Sequence, residues 1–263
     1  MGLILRGLAA TMKGALGAVF PPQCLSCGEG VAADGALCPA CWREAEFIGA
    51  SACARCGVPV PGDAPQSEDE AAALVCDDCL MRDRPWRHGR AALVYGGTGR
   101  ALVLALKHGD RPDLAPPLGR WLAAAAAPLV RPGMLVVPVP LHPRRMLRRK
   151  YNQAALLAAQ VARAHGLTHR PALLQRTRHT EMQDHRGVAD RFANVAGALR
   201  VAPRHTAALR GRAVLLVDDV MASGATAAAA AEALIAAGSG PVSVAVLARA
   251  QRKDRPSAGD DPE

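Results

Sequence analysis

The sequence predicts an α/β protein, a mostly parallel sheet flanked by helices, with a small metal-bound module in front of it. Three observations carry this reading. All eight cysteines lie between Cys24 and Cys79, in four Cys-x-x-Cys pairs. From Arg90 onward, short apolar runs alternate with alanine-rich stretches of helical character. One of those runs, Val214–Val217, ends on two adjacent acids, Asp218 and Asp219. A turn of small and hydroxyl-bearing residues and then a helix follow.

The alternation is read element by element. Ala91–Tyr95, Leu135–Val139, Ala213–Val217 and Val242–Leu247 are β-branched or leucine-rich runs of strand length. Thr98–Lys107, Asn152–His165 and Ala225–Ala237 lie between them and read as helices. Strands that alternate with helices imply βαβ units and hence parallel pairing. The N-terminal residues 1–20 place Leu3, Ile4, Leu8, Met12, Leu16 and Val19 at helical spacing, an amphipathic helix interrupted by Lys13. That lysine breaks the apolar stretch a signal peptide requires. No apolar run of about 18 residues is present, so a spanning helix is excluded and a cytoplasmic chain is expected. Residues 251–263 are charged and aperiodic, the composition of a disordered tail. The predicted organisation is an N-terminal helix to residue 20, a cysteine module over 21–86, the α/β domain over 87–250, and the tail. Within the cysteine module, Pro59–Ala73 reads as a loop. Formal net charge is +9, which favours anionic partners such as nucleic acid or phosphorylated metabolites.

Each Cys-x-x-Cys turn sets two thiolates on one knuckle, and two knuckles complete a tetrahedral S4 site for zinc. The economical pairing is sequential: Cys24, Cys27, Cys38 and Cys41 for one ion, Cys53, Cys56, Cys76 and Cys79 for the other. Spacing alone leaves a crossed arrangement open. Disulfides suit a secreted chain, whereas paired knuckles in the cytosol favour metal. All-cysteine sites are closed, so about two structural zincs are expected rather than a catalytic one. Trp42, Arg43, Arg55 and Arg82 are the basic and aromatic residues the module offers to nucleic acid, which makes that the lesser reading.

The acid pair and its turn carry the chemistry. A strand end holds carboxylates at the sheet edge where α/β folds bind ligands. Two adjacent acids suit the vicinal hydroxyls of a ribose. Ala222, Ser223, Gly224, Ala225 and Thr226 present backbone N–H groups and hydroxyls at a helix N-terminus, a phosphate cradle. This segment resembles the phosphoribosyl pyrophosphate motif of type I phosphoribosyltransferases, with Ser223 where threonine is usual. Leu106–Asp110, Pro138–Pro143, Arg144-Arg145, Tyr151–Ala154, Arg176–Thr180, Gln183, Arg191 and Asn194-Val195 resemble the ComF family. In that family a double zinc ribbon precedes the transferase domain, a Rossmann-like sheet with a hood. Lys150 stands where that family has glycine.

The resemblance implies a site. Asp218 and Asp219 would hold the ribose hydroxyls and residues 222–226 the 5′-phosphate. Lys107 and Arg144 would neutralise the pyrophosphate that leaves C1, together with Mg²⁺. Gln175–Asn194 resembles the hood that closes over substrate. The arginine cluster at 144–149 reads equally as a solvated or nucleic-acid-binding face. Three functions follow from the resemblance: phosphoribosyl transfer to an unidentified acceptor, a competence factor that handles single-stranded DNA or contacts DNA-uptake proteins without turnover, and a sensor of phosphoribosyl pyrophosphate.

Overall fold

The computed structural model describes residues 21–142, 146–147, 149–178 and 188–251. The expected N-terminal helix, Arg144 and Arg145, and residues 252–263 of the expected tail lie outside the described residues. So does the middle of the expected hood, residues 179–187.

Five parallel strands form the main sheet: β1 (His88–Val94), β2 (Leu135–Pro138), β3 (Thr168–His169), β6 (Val214–Met221) and β7 (Val242–Arg249), in the order β1-β7-β6-β2-β3. A separate antiparallel pair, β4 (Leu174–Arg176) and β5 (Leu199–Val201), stands beside it. Strand β6 runs past the apolar stretch and carries both acids inside the ladder. Asp218 pairs with Val246 and Met221 with Arg249. The neighbouring strand β7 is buried along its whole length and extends the pairing template beyond Leu247.

The alternation of side chains sorts the sheet residues into two cores. Leu93, Val136, Leu215, Val217, Ala245 and Leu247 face α4 (Gly97–His108), α5 (Ala115–Ala126) and α6 (Gln153–His165). Leu135, Val137, Val214, Leu216, Val244 and Val246 face α9 (Ala225–Ala236). Parallel strands covered on both faces carry long apolar runs, as Leu135–Pro138, Val214–Val217 and Val244–Ala248 do here. Helix α6 starts where Asn152 caps it, its side chain accepting from the Ala154 N–H at 3.0 Å. It ends on Gly166 in the left-handed conformation.

The cysteine module spreads over both faces. Its helices are α1 (Pro39–Glu44), α2 (Glu68–Ala73) and α3 (Asp77–Leu80). Cys24, Leu37, Cys38 and Cys41 join the core of the α4–α6 face, whereas Cys53, Cys56 and Cys79 join that of the α9 face. Between them the chain crosses the sheet edge, where Phe47 bridges Leu93 and the Ile48 N–H donates to Ala92 O at 2.9 Å. The expected loop Pro59–Ala73 contains α2, because Ser67 caps it and Glu70 returns a carboxylate to the Gln66 N–H. Within the expected hood, α7 (Val188–Val195) forms, and Phe192 and Val195 pack into the α9-face core. The short helix α8 (Thr206–Leu209) leads into β6.

Candidate functional site

The eight cysteines gather as two tetrads, Cys24–Cys27–Cys38–Cys41 and Cys53–Cys56–Cys76–Cys79, with the sulfurs of each within 4.8 Å of one another. The sequential pairing is the one the fold makes. Both tetrads share a build. A glycine in the left-handed region, Gly28 (φ +81°) or Gly57 (φ +71°), closes the first knuckle. The second knuckle opens a short helix, α1 at Cys38 and α3 at Cys76. The Cys27–Cys38 and Cys56–Cys76 sulfurs stand 3.7 Å apart. A tetrahedral zinc with Zn–S of about 2.3 Å sets its ligands roughly 3.8 Å apart, and a disulfide needs about 2.05 Å. The donor set and its spacing fit zinc, and the double ribbon supports two structural ions.

Asp218 and Asp219 sit near the C-terminal end of β6, beside the strand-order reversal of the sheet, where parallel sheets bind ligands. Asp219 is buried, and its Oδ2 receives two partners from the α4–α6 face. These are the Lys107 ammonium at 3.1 Å and the Gln153 amide at 2.9 Å. Lys107 is carried to that position by α4. The end of α4 is pinned by the Tyr151 hydroxyl, which donates to Leu106 O at 2.6 Å. Asp218 is half-buried, and its Oδ1 accepts the Asp219 N–H at 2.8 Å. The two carboxyls are driven apart. Burial, and then the charge of Asp219, push Asp218 well above the ordinary carboxylate range. Burial works the same way on Asp219, but Lys107 and Gln153 outweigh it and hold its pKa below the ordinary value. Of the two, Asp219 is the carboxyl that its neighbours hold toward the anion.

Three residues beyond β6, α9 begins at Gly224, which is left-handed (φ +83°) and offers no side-chain cap. Ser223 Oγ accepts from the Ala225 N–H at 3.4 Å, a long contact. The helix start thus carries its N–H groups and positive dipole end toward the loop. Behind the loop lie two buried arginines that no sequence motif marked. Arg84 Nη1 donates to Ser223 O at 2.9 Å. Arg249 Nη1 donates to Met221 O at 3.0 Å and Ala222 O at 2.7 Å. The available signal was a charged residue closing an otherwise apolar strand, Val242–Arg249.

Among the expected site residues, the fold brings together Lys107, Asp218, Asp219 and the turn 222–226. Arg144 lies outside the described residues. Lys150, where the resembled family has glycine, keeps the left-handed backbone (φ +64°), and its ammonium pairs with Asp110.

Comparisons with known proteins agree with this geometry. Residues 15–80 match the family described as a double zinc ribbon domain, and residues 155–262 match the phosphoribosyl transferase domain. The chain is 29% identical over 218 residues to DNA utilization protein YhgH of Escherichia coli O157:H7, covering 81% of this chain and 90% of that one. It is 28% identical over 213 residues to competence protein F of Haemophilus influenzae, covering 79% and 88%. A solved structure of glutamine phosphoribosylpyrophosphate amidotransferase from B. subtilis aligns at 22% identity and a TM-score of 0.37, over 54% of this chain and 30% of that one. The chain thus carries a double zinc ribbon and a phosphoribosyltransferase domain in one polypeptide, and over most of its length it is similar to proteins named for DNA utilization and competence.

Proposed function

We propose that the cleft at the end of β6 binds a 5-phosphoribosyl group, delivered as phosphoribosyl pyrophosphate, and transfers it to an acceptor. The supporting observation is the pairing of two unequal carboxyls with an uncapped helix N-terminus three residues further on. The ionised Asp219 accepts from one ribose hydroxyl, and the half-buried Asp218 exchanges a hydrogen bond with the other. The N–H groups of the turn 222–226 and of the first turn of α9 take the 5′-phosphate. With the ribose fixed at both ends, C1 faces the acceptor. The bond from C1 to pyrophosphate breaks as the bond to the acceptor forms, through an oxocarbenium-like state in which the anion at Asp219 offsets developing positive charge. Lys107 holds Asp219 ionised and stands one side chain away from where the pyrophosphate departs. The carboxylates are hard oxygen donors of the kind Mg²⁺ takes alongside substrate phosphates, and the metal supplies charge neutralisation to the leaving group. Residues Leu174–Arg176 and Val188–Val201 form the hood in this reading, and Arg144 adds a cation to the pyrophosphate.

The relatives are named for DNA utilization and competence, which supports a reading in which this chain acts in the cytoplasm in DNA use, with single-stranded DNA or DNA-uptake proteins as partners. The net charge of +9 suits such a partner. Titration calorimetry with phosphoribosyl pyrophosphate and Mg²⁺ tests the reading. Saturable heat that is lost in the Asp218→Asn/Asp219→Asn double variant is expected, and release of pyrophosphate on adding an acceptor marks turnover. The absence of any heat at millimolar ligand overturns it.

A further inference from the structure

We infer that Arg84 and Arg249 couple the second zinc site to the phosphate loop, so that zinc at Cys53–Cys79 orders the ribose 5-phosphate cradle. This rests on the phosphoribosyl reading of the cleft. Each arginine bridges one thiolate and the loop backbone. Arg84 donates through Nε to Cys79 Sγ at 3.5 Å and through Nη1 to Ser223 O at 2.9 Å. Arg249 donates through Nη2 to Cys56 Sγ at 3.6 Å and through Nη1 to Met221 O and Ala222 O. Both side chains are buried, Arg84 at 7% and Arg249 at 5% exposure.

Two physical consequences follow. Four thiolates around a divalent ion leave a net charge of about −2, and two guanidiniums offset it in a region water does not reach. The same guanidiniums hold three successive carbonyls of the loop. A trans peptide is planar, with its N–H opposite its C=O. Fixing the carbonyls of Met221, Ala222 and Ser223 against the zinc site therefore aims the N–H groups of Ala222, Ser223 and Gly224 the other way, into the cleft. Gly224 shows how close the two parts are. A Cβ there would stand 2.9 Å from Arg84 Nη1 and 3.2 Å from the Trp86 ring. Trp86 itself donates to Arg55 O, inside the Cys53–Cys56 knuckle, at 2.6 Å. Arg84 and Arg249 are positioning residues. They reach the ligand only through the loop; Arg249 is anchored on Cys56, and Arg84 on Cys79 and on the carboxylate of Asp78 in the same knuckle.

Charge-keeping variants isolate the bridge, because lysine retains the cation but lacks the fork that spans sulfur and carbonyl. The full zinc-loaded chain is compared with Arg84→Lys and Arg249→Lys by three readouts. Affinity for ribose 5-phosphate is expected to fall about tenfold in each variant, within the usual range of site-to-site coupling. Hydrogen exchange of the Ala225, Ala228 and Ala250 amides, which report the loop without any ligand, is expected to accelerate. By reciprocity, saturating ribose 5-phosphate is expected to raise the equilibrium zinc affinity of the Cys53–Cys79 site about tenfold in the unmodified chain, read by competition with a chelator, and to leave that of Cys24–Cys41 unchanged. Where the variants do not fold, chelator treatment of the unmodified chain supplies the exchange comparison. Unchanged loop exchange in the variants, or on loss of the second zinc, overturns the coupling whether or not ligand binds. If ribose 5-phosphate fails to bind the unmodified chain while loop exchange still follows the arginines, the phosphoribosyl reading fails and the mechanical coupling stands.

Discussion

Cys24–Cys41 and Cys53–Cys79 form the same unit twice, a glycine-closed knuckle followed by a helix-opening knuckle, yet their neighbours differ. In the first tetrad the sulfurs accept from backbone, the Cys38 N–H at 3.3 Å and the Cys41 N–H at 3.5 Å. Outward from it, Trp42 and Phe47 stack with centroids 4.7 Å apart, and Phe47 meets Trp121 of α5 edge-on. Its link to the cleft is indirect. Thr98 donates to Glu44 at 3.2 Å at the start of α4, and Lys107 lies near the far end, about 14 Å along at 1.5 Å per residue. In the second tetrad two sulfurs accept from arginines that also hold the phosphate loop. Its knuckle is pressed on β1, where the Gly89 N–H donates to Ala54 O at 2.8 Å. Two tetrads of the same build are thus tied to different parts of the molecule, according to what their ligands touch. The cleft is assembled from both sides, the acid pair oriented from the α4–α6 face and the phosphate loop from the α9 face.

Matched substitutions break or sharpen this contrast. The largest difference is expected from removing each zinc. Cys53→Ser with Cys56→Ser should weaken phosphoribosyl pyrophosphate binding by well over tenfold. Cys24→Ser with Cys27→Ser should lower thermal stability but leave the affinity of the folded protein within about threefold. Calorimetry beside a melting curve separates the two, and equal losses of affinity would erase the distinction.

A smaller difference is expected at the paired knuckle glycines. Gly28 has nothing within 4 Å of a built Cβ, so Gly28→Ala bears only the left-handed strain, about 1 kcal/mol. At Gly57 the Cβ would meet Ala91 N at 2.7 Å and the Arg90 carbonyl carbon at 2.8 Å. Backbone there cannot yield without disturbing β1, so Gly57→Ala should cost roughly 3 kcal/mol in denaturant unfolding, strain and overpacking together.

The smallest effects, opposite in sign, are expected at the acid pair. Asp219 has a lowered pKa in the folded state, so its contribution is present above about pH 4 and is lost as pH falls through the folded value. Asp218 has a raised pKa, so the folded state is favoured below about pH 4 and loses stability as pH rises through the folded value. At pH 7 Asp219→Asn should therefore lower the melting temperature and Asp218→Asn should raise it. Lys107→Met should move the Asp219 titration upward, which carbon-detected NMR of the carboxyls would follow. Equal shifts from the two asparagine variants would show that the α4–α6 face does not distinguish the acids.

Much of the architecture could be read from local pattern. The runs of β6 and β7 predicted strands because β-branched and leucine-rich segments of that length, followed by alanine-rich helices, have few other ways to be buried. That the acids end a strand and the turn to Thr226 opens a helix was legible because an apolar run, two acids, small residues and an alanine-rich stretch follow one another along the chain. Arg84 and Arg249 were not. They lie far apart in sequence and share no spacing with the cysteines, and an isolated arginine most often reads as a solvated charge. Lys107 and Gln153 were picked out by the resemblance, but their contact with Asp219, which joins three distant segments, was not.

By itself, then, the sequence determined four strands of the main sheet, three of its helices and the number of cysteine knuckles, since each depends on residues that are neighbours along the chain. Only the tertiary structure decided which knuckles gather into one tetrad, which acid is held below the ordinary carboxylate pKa, and which tetrad is tied to the loop after β6. Those outcomes depend on burial and on contacts between distant segments, and burial sets the strength of every charge in the site.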